Sequence, residues 1–154
     1  MDRGIFENIG SQLRARGHAT IDDLSRIAFW KFGSWRHYNA ITSQANRRKV
    51  EWLTARVFGL DKSEAVTHAS MLAWEDSGLD GFGIPMASAL LSVFDPENYA
   101  VIDRHAWRTY AVLSLGKPFP KSSFTPADYG RFLTFCRKRR EDLSGWTTRD
   151  VEKV

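Results

Sequence analysis

Apolar residues recur at helical spacing through most of the chain. Between Asp2 and Arg16, the residues Ile5, Ile9 and Leu13 stand four apart and define one face of a helix. Thr20 followed by Asp23 has the spacing of a capping box, in which each side chain satisfies the other's backbone N–H. The helix it opens, IDDLSRIAFWKF, turns Ile21, Leu24, Ile27 and Ala28 inward and stops at Gly33-Ser34. WRHYNAITSQANRRKVEWLTARVFGL reads as two helices broken near Asn46, or as one bent helix. Val50, Leu53, Val57 and Leu60 keep its apolar spacing, and Gly59 suits a C-cap. Ser63 and Glu64 open another helix that runs through Trp74.

The second half continues the pattern. PMASALLSVF begins with proline at the first helical position, where a missing N–H costs nothing, and ends at Asp95-Pro96. ENYAVID is short and extended. Asp103 then occupies an N-cap position ahead of RHAWRTYAVLSL, and GKPFPKSSF is a loop. Thr125-Pro126-Ala127-Asp128 is a second strong helix start, leading a helix that carries Tyr129, Phe132, Leu133 and Cys136 into the charged run RKRRED. A last short helix begins at Thr147 or Thr148. The elements predict an all-α fold, one domain over residues 1–154.

Composition adds constraints on partners. At 154 residues the chain can bury a core without cross-links. Its net charge of +4 favours polyanionic partners, and six tryptophans suit either a bulky core or a surface that stacks on bases. Cys136 is the only cysteine, which excludes an intrachain disulfide and any four-cysteine zinc or iron–sulfur site. MDRGIFENIG lacks the apolar run of a signal peptide, and no segment is apolar for long enough to span a bilayer. The expected compartment is the cytoplasm, with no membrane partner. Histidines 18, 37, 68 and 105 lack metal-ligand spacing, and no phosphate-binding or dinucleotide loop is present, so no cofactor is expected.

LDGFGIP, at residues 79–85, sets Gly81 and Gly83 two apart in a tight turn between helices. Glycine permits positive φ and leaves the backbone uncovered, so N–H groups there can approach an anion. The following helix directs its positive N-terminal end at the same point. A phosphate fits such a site without any base being read. The same glycines also suit a plain corner between two helices, and the turn by itself leaves both readings open.

LDGFGIPMASALL and VIDRHAWR, 18 residues apart from Pro85 to Asp103, together resemble the helix-hairpin-helix superfamily of DNA glycosylases. The resemblance covers about residues 71–113, with the hairpin at about 71–94 and the catalytic segment at about 99–115. It implies a DNA glycosylase-like helical fold, Asp103 as the catalytic aspartate, and Gly81 and Gly83 as the phosphate-binding hairpin glycines. Many members carry a lysine just before the hairpin alanine, where Pro85 and Met86 stand here. The resemblance therefore implies a monofunctional enzyme with water as nucleophile, from a bacterial branch lacking both that lysine and the iron–sulfur cluster. Leu79 is followed by Asp80 where the superfamily favours proline, which places a carboxylate beside the proposed phosphate.

The chemistry can also be argued from the residues. Breaking an N-glycosidic bond builds positive charge on the sugar, as in glycoside hydrolysis. A preorganised carboxylate stabilises that charge and orients water. At a helix start, backbone N–H groups and the helix dipole favour the ionised form of Asp103. Asp103 is equally suited to being a plain N-cap, and the two roles are compatible.

Arg104 and Arg108, one turn apart, are candidates for flanking phosphates, with His105 between them. WKFGSWRHYN interleaves Trp30, Trp35 and Tyr38 with Lys31, Arg36 and His37, a composition suited to a base pocket or a wedge into DNA. Gln44 and Asn46 are loose substitutes for the polar wedge residues of glycosylases. Two basic runs, Arg47-Arg48-Lys49 and Arg137-Lys138-Arg139-Arg140, suit phosphate neutralisation or a solvated face. The expected partner is DNA, as a duplex with an extruded base. A non-catalytic DNA-binding module, a protein-interaction domain, and strand cleavage through another amine remain as alternatives.

Overall fold

The computed structural model describes residues 4–73, 78–143 and 145–152. Every regular element among them is helical. The chain opens with a π-helical turn, Ile5–Ile9, which runs into α1 (Gly10–Arg16). Sequence periodicity predicts an ordinary helix here; its starting residue, Asp2, lies outside the described residues. The wide turn ends at Gly10, where a Cβ would lie 2.6 Å from the Val93 carbonyl oxygen. The glycine thus lets α1 press directly on the backbone of a later helix.

Helix α2 (Ile21–Phe32) has the predicted bounds. Its capping box is formed, with Thr20 N–H donating to Asp23 at 2.9 Å and Asp23 N–H donating to the Thr20 hydroxyl at 3.2 Å. Leu24, Ile27 and Ala28 are buried, whereas Ile21 packs only at the margin of the core. α3 (Tyr38–Ile41) and α4 (Gln44–Phe58) are separated at Thr42-Ser43, three residues before the predicted break at Asn46. The reason is that Ser43 supplies the cap, accepting from Asn46 N–H at 3.1 Å. α5 (Ala65–Ala73) follows a single 3₁₀ turn, Lys62–Glu64, capped by Asp61 rather than Ser63. Trp74 lies outside the described residues.

α6 (Ile84–Phe94) is capped by Gly83, so Pro85 is its second residue rather than its first. α7 (Arg104–Leu115) starts at Asp103 and closes at the left-handed Gly116. α8 (Pro126–Glu141) carries the second capping box, Thr125 with Asp128, and α9 (Thr148–Glu152) ends the described chain. α6 is the centre of the molecule: Ile84 and every residue from Met86 to Val93 are buried. It packs against the π turn, α1, α2 and α5, while α8 covers α5 and contacts α7 and α9. A helix apolar all round is the kind that belongs inside. The extended residues Tyr99–Ile102 are also buried, and the Tyr129 hydroxyl donates to the Ala100 carbonyl at 3.0 Å. Among the described residues no helix is long and apolar enough to cross a membrane.

Asp128 does more than cap α8. It is buried and pairs with Lys121 at 2.8 Å and Arg131 at 2.9 Å. Burial alone would raise its pKa, but the bonds from Lys121, Thr125 and Arg131 prevail and hold it at about 2. A carboxylate depressed in the folded state stabilises the fold above its unfolded pKa, and that contribution is lost as pH falls through the folded value. Asp128→Asn is therefore expected to cost about 2 kcal/mol at pH 7, leaving two cations facing a neutral amide. It should also flatten the fall in urea midpoint between about pH 4 and pH 2. An unchanged acid slope would count against this assignment.

Candidate active site

The turn before α6 alternates in exposure: Asp80, Gly81 and Gly83 face water, while Leu79, Phe82 and Ile84 are buried. The two glycines differ in what requires them. Gly81 has φ +76°, and a Cβ there would come within 3.1 Å of Ala40 and 3.2 Å of Ile41. Gly83 is extended (φ −100°), and a Cβ would touch only Pro85, at 3.6 Å. Among the described residues, the N–H groups of Gly81 and Gly83 have no acceptor. They stand free at the N-terminal end of α6.

A fully buried side chain fixes this turn. Asn46 Oδ1 accepts from Asp80 N–H at 2.6 Å, and its Nδ2 donates to the carbonyls of Asp80 at 3.0 Å and Ile41 at 2.9 Å. Asn46 therefore lies under the hairpin instead of facing a base. The Asp80 carboxylate accepts a 2.6 Å bond from the Ser43 hydroxyl, directing it toward the start of α4.

Ser88 joins the hairpin to Asp103. Its hydroxyl donates to the Pro85 carbonyl at 2.7 Å and accepts from Ile102 N–H at 3.0 Å, just before the aspartate. Asp103 caps α7 through one oxygen, Oδ1, which accepts from His105 N–H at 2.9 Å and Ala106 N–H at 2.8 Å. The other oxygen, Oδ2, meets Lys31 Nζ at 3.2 Å. Lys31 reaches it from the last turn of α2 with only 10% of its side chain exposed, against 38% for Asp103. Burial pushes the Asp103 pKa up, but the Ala106 N–H, the Lys31 ammonium and the His105 N–H outweigh it and hold the carboxyl below its ordinary value. The group is ionised at neutral pH.

Arg104, His105 and Arg108 are exposed on α7 beside this carboxylate. They line a cavity of about 590 Å³ with Pro118, Pro120, Lys121 and Ser122 from the following loop. Two stretches of the sequence that include Lys31 and follow Asp103 are free of carboxylates, although Asp22 and Asp128 from just outside them pair with Arg26 and Lys121. Residues 24–50, which include Lys31, carry six lysines and arginines and no carboxylate, and residues 104–127 carry four and none. The run at 137–140 is different. Arg137 donates to the Asn98 carbonyl at 2.8 Å, and Arg140 pairs with Glu97 at 2.8 Å. Half of that run is committed to holding the segment that leads to Asp103.

Only two of the three aromatic candidates meet. Trp30 packs edge-on against Phe6 at 5.7 Å and under Arg149 at 5.6 Å, in the seam between the first turn and α9. Trp35 and Tyr38 do meet each other, perpendicular at 5.9 Å, and both are exposed. Phe29 joins them, 4.4 Å from Trp35. Sequence reasoning missed Lys31 as the partner of Asp103, Asn46 as the clamp of the turn, and Ser88 as the bridge. Only a long-range contact reveals each of them.

The two hairpin glycines give a paired test. Gly81→Ala is expected to destabilise the fold by about 2 kcal/mol, from the positive φ and the crowding by Ala40 and Ile41. Gly83→Ala should change the urea midpoint little, because its Cβ would touch only Pro85. Equal stability losses in both variants would contradict the geometry. Lys31→Met removes a cation from Asp103 and so raises the carboxyl pKa. A depressed pKa gives stability that is full above the unfolded value and lost as pH falls through the folded one, so this variant should lose less stability on acidification and show a flatter fall in urea midpoint. NMR titration of the Asp103 carboxyl reads the shift directly. The cost at pH 7 should be about 1 kcal/mol or less, since water reaches the aspartate.

Compared with protein-family models, curated proteins and solved structures, the chain matches none of them.

Proposed function

We propose that the chain is a monofunctional DNA glycosylase that hydrolyses the N-glycosidic bond of a damaged or modified base in base-excision repair. The observation that carries this reading is the Ser88 bridge, which fixes an ionised Asp103 beside a turn with free glycine N–H groups. In the reaction, a backbone phosphate sits at Gly81 and Gly83, and Arg104 and Arg108 hold its neighbours. The target base stands outside the stack, which brings its sugar to the carboxylate.

Asp103 Oδ1 is committed to two backbone N–H groups, so Oδ2 is the oxygen left for the sugar. As the C1′–N bond breaks, its electron pair leaves with the base and positive charge grows on C1′ and the ring oxygen. The carboxylate stabilises that charge. Water adds its oxygen to C1′, and the proton it loses balances the departing base nitrogen. Met86 and Pro85 supply no amine, so no covalent enzyme–sugar link forms through the hairpin.

A second reading has its own support. Lys31 already occupies Oδ2, as it would if Asp103 were only a cap in a DNA-binding module or interaction domain. Wild type and Asp103→Asn are compared on duplexes and single strands carrying a panel of damaged bases, with strand breaks scored with and without alkali. The expected result is alkali-dependent cleavage by wild type, reduced at least a hundredfold in the variant. Equal DNA binding with no product from either protein favours the binding module, and negligible binding favours the interaction domain. Nicking without alkali that disappears in Lys31→Met would instead assign Lys31 as a nucleophile.

A further inference from the structure

Phe29, Trp35 and Tyr38 form an exposed aromatic surface that the reaction above does not use. Phe29 belongs to the last turn of α2, Trp35 to the connection, and Tyr38 to the first turn of α3. Their rings contact one another: Phe29 and Trp35 are inclined by 32° at 4.4 Å, and Trp35 and Tyr38 stand at 88°. Contact between the rings fixes their positions while 55% of Trp35 and 47% of Tyr38 remain open to solvent. In a core such rings are covered, and a lone exposed aromatic is ordinary; three joined through Trp35 at the surface make a patch.

The charge around the patch selects its occupant. Arg36, between Trp35 and His37, is exposed, and its guanidinium lies 5.5 Å over the Phe32 ring. Arg26, one turn before Trp30, is paired with Asp22 at 3.8 Å, so Arg36 is the cation left at the edge of the patch. The connection that carries Trp35 has Arg36 and His37 and no carboxylate, which sets a cation directly beside the rings. An apolar protein partner would leave Arg36 uncompensated on binding, whereas a nucleic-acid backbone neutralises it and offers bases to the rings. Inside a duplex the neighbouring base pairs cover the faces of each base, which then cannot stack on a side chain. Unpaired bases can.

We propose that Phe29, Trp35 and Tyr38 are a stacking platform for unpaired nucleotides, and that the chain takes single-stranded or locally unpaired DNA in preference to paired duplex. Lys31, two residues beyond Phe29, reaches Asp103, so a strand lying on the platform is held on the element that touches the candidate catalytic carboxylate. The inference rests on the DNA reading proposed above and replaces the duplex with an unpaired strand.

The experiment measures fluorescence anisotropy of a labelled, undamaged oligodeoxynucleotide of about 15 nucleotides, alone and annealed to its complement, at moderate salt. Wild type is expected to bind the single strand about tenfold more tightly than the duplex. Trp35→Ala should weaken single-strand binding about tenfold while changing duplex binding less than about twofold, and Trp35→Phe should restore most of the loss. Thermal melting of each variant should match wild type, because the ring is exposed. Equal or tighter duplex binding overturns the platform, as does an equal effect of Trp35→Ala on both substrates. The result is separable from the glycosylase reading. Single strand bound through Trp35 without abasic product keeps the platform and discards the chemistry. Abasic product from duplex alone, undiminished in Trp35→Ala, keeps the chemistry and discards the platform. No DNA bound at all discards both.

Discussion

A helix buried on every side must satisfy the polar groups at its own ends, and α6 is such a helix. At its C-terminal end Arg14 crosses from α1 to donate to the carbonyls of Val93 at 3.3 Å and Phe94 at 3.0 Å. At the other end the chain enters through an exposed glycine turn, where the N–H groups of Gly81 and Gly83 have no acceptor among the described residues. The free donors at Gly81 and Gly83 are thus a consequence of where the core sits. The small residues that let neighbours approach α6 closely include Ser88, and its hydroxyl holds the strand carrying Asp103. Core packing and site geometry are one arrangement.

What could be read from the sequence was local. The capping boxes at Thr20/Asp23 and Thr125/Asp128 fixed two helix starts because each involves residues three apart. The break before α4 was misplaced because Ser43 and Asn46 are both natural caps, and the choice between them is made elsewhere. Asn46 is drawn under the hairpin by Asp80, 34 residues away, and this leaves the cap to Ser43. The π turn had no local signal either; Gly10 is explained only by the Val93 carbonyl against which it lies.

The candidate site divides in the same way. The position of Asp103 at a helix start was legible, and so was the glycine turn, since both depend on neighbours in sequence. The Lys31 contact spans 72 residues and was not. Charge runs misled for a related reason. Arg137 and Arg140 look like free cations in the sequence, but Asn98 and Glu97 come back to meet them. Trp30 belongs with Phe6 and Arg149 rather than with its aromatic neighbours in sequence.

The Lys31–Asp103 pair contains an opposition that bears on any chemistry there. The ammonium helps keep the carboxylate ionised, yet it also cancels part of the field that a developing sugar cation would feel. At an effective dielectric of about 20, a cation ~4 Å from the carboxylate gains about 4 kcal/mol. An ammonium ~6 Å from the same cation removes about 3 kcal/mol of that. With Lys31 in place, the net stabilisation is small. An incoming phosphate that draws the lysine off Oδ2 would restore most of the field at the moment the sugar arrives. The two backbone N–H groups on Oδ1 would stay in place and keep the carboxylate charged. On the glycosylase reading proposed above, the lysine would stand in for substrate charge in the free protein, and DNA binding would convert a satisfied ion pair into a carboxylate with one oxygen free.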